Sequence, residues 1–306
     1  MLKFIMTVGP SGAGKSTYVD SFRDMGYDIH SSDALRAELL GDINDQSQNS
    51  YIFEQMYERT VESLSKGRNV VYDATNLNSK RRTNLLKQLK KKVPDFYTCA
   101  IVSVTSPENC IGRRALSDRP VPADVIMRQI KNFEVPTSHE GFDEVLLYFT
   151  ECAIYRAHYA DSILAKAMAM NHDNPHHPDT TIYNHSLNVA NTMIGNDISN
   201  IKGNEDFYRV GMYHDIGKVF TKSFDEDGVA HYFNHANVSA YLYLLFFGND
   251  IPSKNTILEE AFAIGNHMRH FSYKDKKKYE DWVDKLSPRI KNLLNSLTVA
   301  DEKDSV

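Results

Sequence analysis

The sequence has little cysteine, no long apolar run and almost no histidine in its first half. Its three cysteines, Cys99, Cys110 and Cys152, lack a CxxC spacing, which fits free thiols in a reducing compartment. No stretch approaches the roughly 18 to 20 apolar residues of a membrane span. The first residues also lack the basic and apolar segments of a secretion signal. We therefore expect a cytoplasmic protein with no membrane partner.

Length and charge set the next limits. A chain of 306 residues is long for one compact unit, so two domains are expected. The net charge of −5 leaves only local patches for binding a polyanion. The segment from Lys80 to Lys92 carries seven Lys or Arg residues and no acid. It predicts either such a patch or a solvated helix face with Leu85, Leu86 and Leu89 turned inward.

Over residues 1–150, short β-rich runs alternate with helical patterns. The runs are "KFIMTV", "NVVYD", "FYTCAIVSV" and "EVLLYF". Strands separated by helices predict a parallel sheet with helices on both faces. Further helix starts are predicted at "SPE" from Ser106 and at "VPAD" from Val121.

The segment "GPSGAGKST", from Gly9 to Thr17, follows the first of these runs and precedes a helical pattern. In that setting GxxxxGKS predicts a phosphate-binding loop, because a glycine-rich turn and a helix N-terminus surround phosphates with backbone N–H groups. Lys15 is expected to neutralise the β- and γ-phosphate oxygens of ATP, and the Ser16 hydroxyl to reach Mg²⁺. The candidate nucleotide-binding residues are Gly9, Ser11, Gly12, Ala13, Gly14, Lys15, Ser16 and Thr17.

The segment "HSSDALRAEL" places Asp33 after a short second strand and Arg36 about one helical turn further on. A carboxylate in that position can accept a proton from an attacking hydroxyl, while the arginine holds an anionic group of the substrate. The competing interpretation is that Asp33 only caps a helix that begins at Ala34.

Two later segments, "VVYDATNLNSKRR" and "GRRALSDRPVPADVI", complete a set of motifs. Together with the P-loop and the Asp33–Arg36 pair, they resemble the kinase domain of bacteriophage polynucleotide kinase-phosphatase, which phosphorylates 5′-hydroxyl ends of RNA or DNA. The resemblance covers residues 1–150. It implies that Asp33 is the general base, that Arg36 clamps the 3′-phosphate of the substrate nucleotide, and that Asp73 supports the site.

The second of these segments predicts an arginine-rich lid between two helices that closes over the ATP phosphates. By the same resemblance, Arg113 is a catalytic lid arginine that also binds ATP. Where the family usually has a second lid arginine four residues later, this chain has Ser117. Arg119 is the candidate replacement.

Ten of the twelve histidines lie after residue 150, in a half whose pattern is helical throughout. His185 lies within a predicted helix, and "YHDIGK" places His214 beside Asp215. "LTVADE" ends a helix with Asp301. Imidazoles and carboxylates from several helices suit a divalent metal ion inside a bundle. The competing interpretation is chance spacing among ten histidines.

This H…HD…D pattern, with Gly217 and Lys218 after the His-Asp pair, resembles the HD phosphohydrolase superfamily over residues 158–306. The resemblance implies one or two divalent transition-metal ions that polarise a phosphate and generate hydroxide from bound water. By analogy with the HD domain of bacterial tRNA nucleotidyltransferase and with HD-type polynucleotide kinases, His235 and His267 would serve a second metal or the phosphate, and Lys218 would contact the phosphate. The histidines expected to be structural or to lie outside the ligand set are His176, His177, His231 and His270.

The predicted fold is thus an α/β P-loop kinase domain at residues 1–150, a parallel sheet with flanking helices, followed by an all-α HD domain at residues 158–306. Together they predict a bifunctional nucleic-acid end-healing enzyme that phosphorylates 5′-hydroxyl ends and removes 3′-phosphate or 2′,3′-cyclic phosphate. Its partners would be nucleic-acid ends, RNA ahead of DNA, and a separate RNA ligase. The alternatives are a small-molecule nucleoside kinase fused to an HD nucleotidase, and a nucleotide-binding regulator with a degenerate sensor half.

Overall fold

The computed structural model describes residues 1–173, 180–248, 254–273 and 275–304. The chain divides into two compact units, Met1–Gln129 with Pro136–Thr150 and Ile130–Val135 with Glu151–Val306. The sequence placed the domain boundary between residues 150 and 158, and did not anticipate that residues 130–135 group with the second unit. Two of the histidines expected to be structural, His176 and His177, lie outside the described residues.

A parallel sheet forms the centre of the first unit. Its strands are β1 (Lys3–Val8), β2 (Asp28–Ser31), β3 (Val70–Asp73), β4 (Tyr97–Val104) and β5 (Glu144–Phe149). Their order in the sheet is β2-β3-β1-β4-β5, and every pairing is parallel. β1 and β4 are buried along nearly their whole length, as expected of apolar strands covered on both faces.

Helices connect these strands and confirm the predicted α/β arrangement of the first unit. They are α1 (Lys15–Asp24), α2 (Ser32–Leu40), α3 (Asn49–Ser65), α4 (Ser79–Lys92), α5 (Pro107–Ala115) and α6 (Ala123–Lys131), with a 3-10 turn at Ser138–Glu140. The two proline-marked helix starts are confirmed, since α5 begins with its proline and α6 begins directly after one. The unit therefore has the α/β fold of a P-loop kinase.

The basic helix α4 buries part of the charge that the sequence assigned to its surface. Leu86 and Leu89 are buried as expected, whereas Leu85 is only half-buried. Arg82 is also buried, and its Nε and Nη2 each donate to one carboxylate oxygen of Glu140 at 2.7 Å. This forked ion pair fixes α4 against the 3-10 turn, so Arg82 has a structural role and is not part of a polyanion patch.

The second unit is mostly helical. Its helices are α7 (Ala153–Ala169), α8 (Ile182–Met193), α9 (Glu205–Tyr213), α10 (Lys218–Thr221), α11 (His235–Phe247), α12 (Lys254–Asn266), α13 (Arg269–Ser272), α14 (Lys276–Val283) and α15 (Pro288–Asp304), with a 3-10 turn at Ile198–Ile201. α11 is buried around almost its whole circumference and is the central helix of the unit. Within the described ranges, no helix is long and apolar enough to cross a membrane.

One element of the second unit is not helical, so the prediction of helix throughout was wrong there. β6 (Ser223–Phe224) and β7 (Ala230–His231) pair antiparallel as a short hairpin. The Asp225 carboxylate accepts hydrogen bonds from two backbone N–H groups of the turn, and Gly228 adopts a φ of 77°. Strands of two residues are too short to show the alternation by which a strand is predicted.

The Arg82–Glu140 pair gives a test of stability. Replacing Glu140 by Ala leaves the buried Arg82 guanidinium without its carboxylate partner. We therefore expect the free energy of unfolding to fall by about 3–5 kcal/mol. The double variant Arg82→Leu/Glu140→Leu should lose less than the single one, because no buried charge is left unpaired. Denaturant titration measures both. Asp124→Ala breaks the exposed Arg128–Asp124 pair and is the control, with little change expected. Equal stability of Glu140→Ala and wild type would contradict the assignment.

Candidate functional site

In the first unit, three candidate features follow strands that end at one edge of the sheet. β2, β3 and β1 are neighbours and run parallel, so their carboxyl ends lie side by side. The glycine-rich turn follows β1, Asp73 is the last residue of β3, and Asp33 lies in the first turn of α2, directly after β2. In open parallel sheets this edge is where ligands bind.

The turn between β1 and α1 has the shape of a phosphate-binding loop. Gly12 adopts a φ of 82°, and a Cβ at that position would lie 2.3 Å from the carbonyl oxygen of Cys110. Only glycine fits there. Lys15 is the first residue of α1 and donates from Nζ to the carbonyl oxygens of Gly9 at 2.9 Å and Pro10 at 2.8 Å. The Lys15 side chain thus folds back over the loop that is predicted to bind the triphosphate.

The other predicted nucleotide-binding residues line the same turn. Ala13 is buried, Ser11 and Gly14 are half-buried, and Ser16 and Thr17 are exposed at the start of α1. An exposed serine hydroxyl at this position is available to a metal ion that accompanies phosphates.

Asp73 is held at the edge of the sheet by a residue that sequence reasoning missed. The Thr7 hydroxyl lies 2.9 Å from Oδ1 of Asp73 and 2.8 Å from the carbonyl oxygen of Ala74. Burial raises the pKa of Asp73, and the charge of Lys15 opposes that shift. Burial likewise lowers the pKa of Lys15, and the Asp73 carboxylate opposes it. The two groups therefore stabilise each other's charged forms. A polar residue within the apolar run of β1 was the available signal.

Asp33 is not the helix cap that the competing interpretation required. α2 begins at Ser32 with Ser31 as its N-cap residue, so Asp33 lies inside the first turn. Its Oδ1 accepts from Nη1 of Arg36 at 3.0 Å, and Arg36 is buried with Nη2 donating to Asn49 at 2.7 Å. Half of the Asp33 side chain is exposed, so the carboxylate is both oriented and accessible.

The arginine-rich stretch brings two arginines to this edge, but only Arg119 lies between α5 and α6, because Arg113 is in the last turn of α5. Nη1 of Arg113 donates to the Thr150 hydroxyl at 2.8 Å and lies 3.4 Å from the carbonyl oxygen of Gly12. Arg119 forms a short ion pair with Oδ2 of Asp33. Ser117 instead shapes the turn, with its hydroxyl 2.9 Å from the carbonyl oxygen of Arg114 and 2.8 Å from that of Arg119. Arg119, not position 117, brings the second guanidinium to the site.

Two further residues touch the loop and were not predicted. The backbone N–H of Ser11 donates to Oε1 of Gln129 at 2.7 Å. Thr150 follows β5, its hydroxyl lies 2.7 Å from that of Thr105, and a Cβ on Gly14 would approach its methyl carbon to 2.4 Å. Neither residue belongs to a recognisable motif. Only their positions, one after a strand and one in the helix after the lid, could have suggested them.

In the second unit, the predicted metal ligands converge on two carboxylates. Nε2 of His185 lies 3.1 Å from Asp301 and 3.4 Å from Asp215. Nε2 of His214 lies 3.4 Å from Asp215 and 3.6 Å from Asp301. His235 approaches the other oxygen of Asp215 at 3.0 Å. These side chains come from α8, α11, α15 and the segment after α9, as the sequence predicted for a helical bundle.

His267, from the segment after α12, completes the cluster. Its Nε2 lies 3.6 Å from Asp215 and 3.3 Å from Nε2 of His235. Among the described residues, two sets have ligand atoms within 4.8 Å of one another, as a bound ion requires. The sets are His185, His214 and Asp301, and His214, Asp215 and His267.

The tautomers of the four imidazoles suit metal binding. Nδ1 of His214, His235 and His267 lies 2.7–2.8 Å from the backbone carbonyl oxygen three residues earlier. Nδ1 of His185 lies 2.7 Å from Oδ2 of Asp304. Because these partners accept and cannot donate, each Nδ1 carries the proton. Each Nε2 faces the cluster, where it could donate its lone pair to one or two divalent ions once it carries no proton.

Charge balance around Asp215 explains why this cluster tolerates burial. Burial raises the pKa of Asp215, but Lys218 and His214 outweigh it and hold the pKa well below its ordinary value. Nζ of Lys218 lies 2.5 Å from Oδ2. Burial lowers the pKa of His214, and the Asp215 charge outweighs this and raises it to about 10. A metal ion would take the place of those positive charges.

Two glycines allow the helices to bring these ligands together. A Cβ on Gly211 would lie 2.6 Å from Cα of Ala190, so α9 packs directly on α8 and places His214 beside His185. A Cβ on Gly217 would lie 2.3 Å from the carbonyl oxygen of His235. The glycine after the His-Asp pair therefore serves the close approach of α11.

The remaining histidines differ in their surroundings. His231 pairs with Asp225 on the hairpin at 2.8 Å, and His270 lies with Nδ1 2.8 Å from the carbonyl oxygen of His267. His172 is fully buried with its ring 5.3 Å from that of His185. Sequence reasoning missed Asp304, which orients His185. The spacing of three residues from Asp301 in "DEKD", one helical turn, was the signal.

Comparisons with known proteins reach the first unit. A protein-family model described as AAA domain matches residues 4–136, less than half of the chain. One similar solved structure is the crystal structure of a gluconokinase from Sinorhizobium meliloti 1021, with 18% identity and a TM-score of 0.35. The alignment covers 49% of this chain and 83% of the gluconokinase chain. A search of curated proteins found no match.

The first unit therefore carries a P-loop and is similar over residues 4–136 to the family described as AAA domain; loops of this kind bind ATP together with Mg²⁺. The family match ends at residue 136, so the second unit is interpreted from its own geometry.

The imidazole cluster predicts metal binding that depends on Asp304. Titration with Mn²⁺ in a calorimeter should show one or two ions per chain. Asp304→Ala removes the acceptor of the His185 Nδ1 proton, and we expect binding to weaken about 10- to 100-fold. Asp225→Ala breaks the matched His231–Asp225 pair on the hairpin and should leave the affinity unchanged. Undiminished Mn²⁺ binding by Asp304→Ala would argue against the orienting role.

Proposed function

We propose that this chain combines an ATP-dependent phosphotransferase with a metal-dependent phosphohydrolase. The observation that carries the proposal is the presence of a complete reactive set in each unit. The first unit has a phosphate-binding loop with an oriented carboxylate, Asp33, at the same sheet edge. The second has four imidazoles whose Nε2 atoms face two buried carboxylates. Neither set has lost a residue that its chemistry requires.

In the phosphotransferase, Asp33 is the general base. Lys15 and the backbone N–H groups of the loop hold the phosphates of ATP, and Asp33 accepts the proton of the attacking hydroxyl. Arg36 keeps the carboxylate in place. Both Asp33 oxygens have an arginine partner, Arg36 on Oδ1 and Arg119 on Oδ2, so departure of Arg119 would make the carboxylate a stronger base. Arg119 and Arg113 are then available to the transferring phosphoryl group.

In the phosphohydrolase, His185, His214, Asp215 and Asp301 would hold one divalent ion. His235 and His267 would extend the ligand set to a second. A bound ion of this kind polarises the phosphate and lowers the pKa of water. Lys218 forms an ion pair with Asp215, and its ammonium group would also contact the phosphate of the substrate.

The simplest acceptor for the kinase is a nucleoside-sized molecule. The site residues at the sheet edge are sufficient to bind ATP and to deprotonate one hydroxyl, and they require nothing else of the acceptor. The second unit would then act as a nucleotidase. This hypothesis requires only the residues of the two sites and no further binding surface.

The second candidate acceptor is the 5′-hydroxyl end of a polynucleotide, and helix α4 favours it. Lys80, Arg81, Lys87, Lys91 and Lys92 are exposed and have no ion-pair partner in the described ranges. The first turn of α4 contains no acid, although cations there oppose the helix dipole. From the first to the last lysine of the row at 80, 87 and 91, the helix rises about 16 Å.

A row of that length matches the backbone of a single strand better than it matches a nucleoside. With this acceptor the two activities would convert a cleaved strand, RNA ahead of DNA, into 5′-phosphate and 3′-hydroxyl ends. A separate ligase would then act on those ends. A regulator with a degenerate second half is disfavoured by the intact ligand set.

Independent sites predict separable losses. With labelled ATP, Asp33→Asn should transfer phosphate about 10²- to 10⁴-fold more slowly than wild type, because the general base is lost. Its ATP binding and its phosphohydrolase activity should be retained. His214→Ala should show the reverse pattern. Asp20→Asn, an exposed acid on α1, is the control for Asp33→Asn. Loss of both activities in either variant would contradict two separate sites.

The acceptor is tested with labelled ATP and either mononucleosides or a 5′-hydroxyl oligonucleotide. If the polynucleotide is the acceptor, Lys80→Ala/Lys87→Ala/Lys91→Ala should raise KM for the oligonucleotide and reduce the slope of log affinity against log salt by about 2. Transfer to nucleosides should not change. The matched control is Lys276→Ala/Lys277→Ala/Lys278→Ala, on the exposed lysines of α14. Labelling of nucleosides alone would assign the small-molecule acceptor.

A further inference from the structure

An exposed aromatic ring precedes a predicted metal ligand of the second unit by two residues. Phe233 is 69% exposed and precedes the predicted ligand His235 by two residues. Because consecutive Cα atoms are 3.8 Å apart, their Cα atoms lie within about 7.6 Å of each other. A large apolar side chain that is mostly exposed contributes little to the core of this unit.

The ring of Phe233 stacks on a neighbouring imidazole. Its centroid lies 5.5 Å from that of His231, and the two planes differ by 9°. His231 is itself fixed by its 2.8 Å contact with Asp225 across the hairpin turn. The following residue, Asn234, adopts a left-handed φ of 62°, which turns the chain from the ring into α11. One face of Phe233 is thus supported by an imidazole while most of the side chain remains open to solvent.

The residues that flank this ring connect it to the phosphate side of the cluster. The hydroxyl of Tyr232 donates to the carbonyl oxygen of His172, and Nζ of Lys218 lies 5.2 Å from the centre of its ring. Tyr232 therefore anchors the turn between the cation and Phe233. Phe233 thus belongs to the same short turn as Tyr232, which faces Lys218, and His235, which faces Asp215.

We propose that Phe233 is the stacking surface for the nucleobase of the phosphoester that the second unit hydrolyses. A planar base gains from a preoriented aromatic ring whatever its identity, because every base has a π face. An aliphatic phosphoester would gain little. The inference rests on the proposed phosphohydrolase function and narrows its substrate to nucleotides, whether mononucleotides or the ends of a strand.

Two measurements on the metal-loaded full chain test it. The first compares hydrolysis of a nucleoside 3′-monophosphate with that of glycerol phosphate, which has no base. Phe233→Ala should raise KM for the nucleotide on the order of 10- to 100-fold, with kcat little changed and glycerol phosphate hydrolysis unaffected. Phe233→Trp should restore the nucleotide KM, whereas Phe233→Leu, which keeps apolar bulk without a π face, should not.

The second measurement is calorimetric binding of a non-hydrolysable nucleoside phosphonate, which does not require turnover. Wild type should bind it more tightly than a base-free phosphonate, and Phe233→Ala should abolish the difference. Phe224→Ala is the matched control, since that exposed ring is already faced by Lys222 at 5.4 Å. Equal effects of Phe233→Ala on ligands with and without a base, or full rescue by Leu, would overturn the inference. Base-dependent binding without any hydrolysis would support the stacking surface and overturn the proposed phosphohydrolase.

Discussion

The buried carboxylate of Asp215 is the constraint on which the second unit depends. An ionised carboxylate without water is costly unless charges and hydrogen bonds replace its hydration. Here Lys218 contacts one oxygen, and imidazoles from separate helices approach both. The helices must therefore pack closely enough to bring those side chains within about 4 Å of one carboxylate. The close contacts at Gly211 and Gly217 meet that requirement.

In the first unit, the backbone of the parallel sheet determines which residues come together. Parallel strands deliver their carboxyl ends to one edge, so residues distant in sequence become neighbours without any long-range side-chain contact. Lys15 and Asp73 then share a partly buried environment in which each stabilises the charge of the other. The threonine at position 7 fixes the carboxylate. The site is thus a consequence of sheet topology first and of side-chain pairing second.

A feature could be predicted from the sequence when it arises from a local pattern, and could not when it depends on contacts between distant elements. The strands and most helices follow from local apolar patterns, and the P-loop from a spacing whose geometry is local as well. The strands of the short hairpin are too short to show alternating apolar and polar residues. The buried Arg82 could not be distinguished from its exposed neighbours, because its partner, Glu140, is distant in sequence. The roles of Arg119 and Asp304 depend on contacts between elements, which no single segment encodes. Local patterns therefore indicated the candidate sites, and tertiary contacts added residues to them.

In both units the reactive charges already satisfy one another. Arg119 forms an ion pair with Asp33, Lys15 donates hydrogen bonds to the carbonyl oxygens of its own loop, and Lys218 forms an ion pair with Asp215. Ligand binding in each site would accordingly exchange one of these partners for another. Such exchange keeps the groups in place beforehand and reduces the reorganisation needed when a phosphate arrives. It also means that a carboxylate pairs with a cation until the substrate displaces that cation, which links reactivity to the presence of substrate.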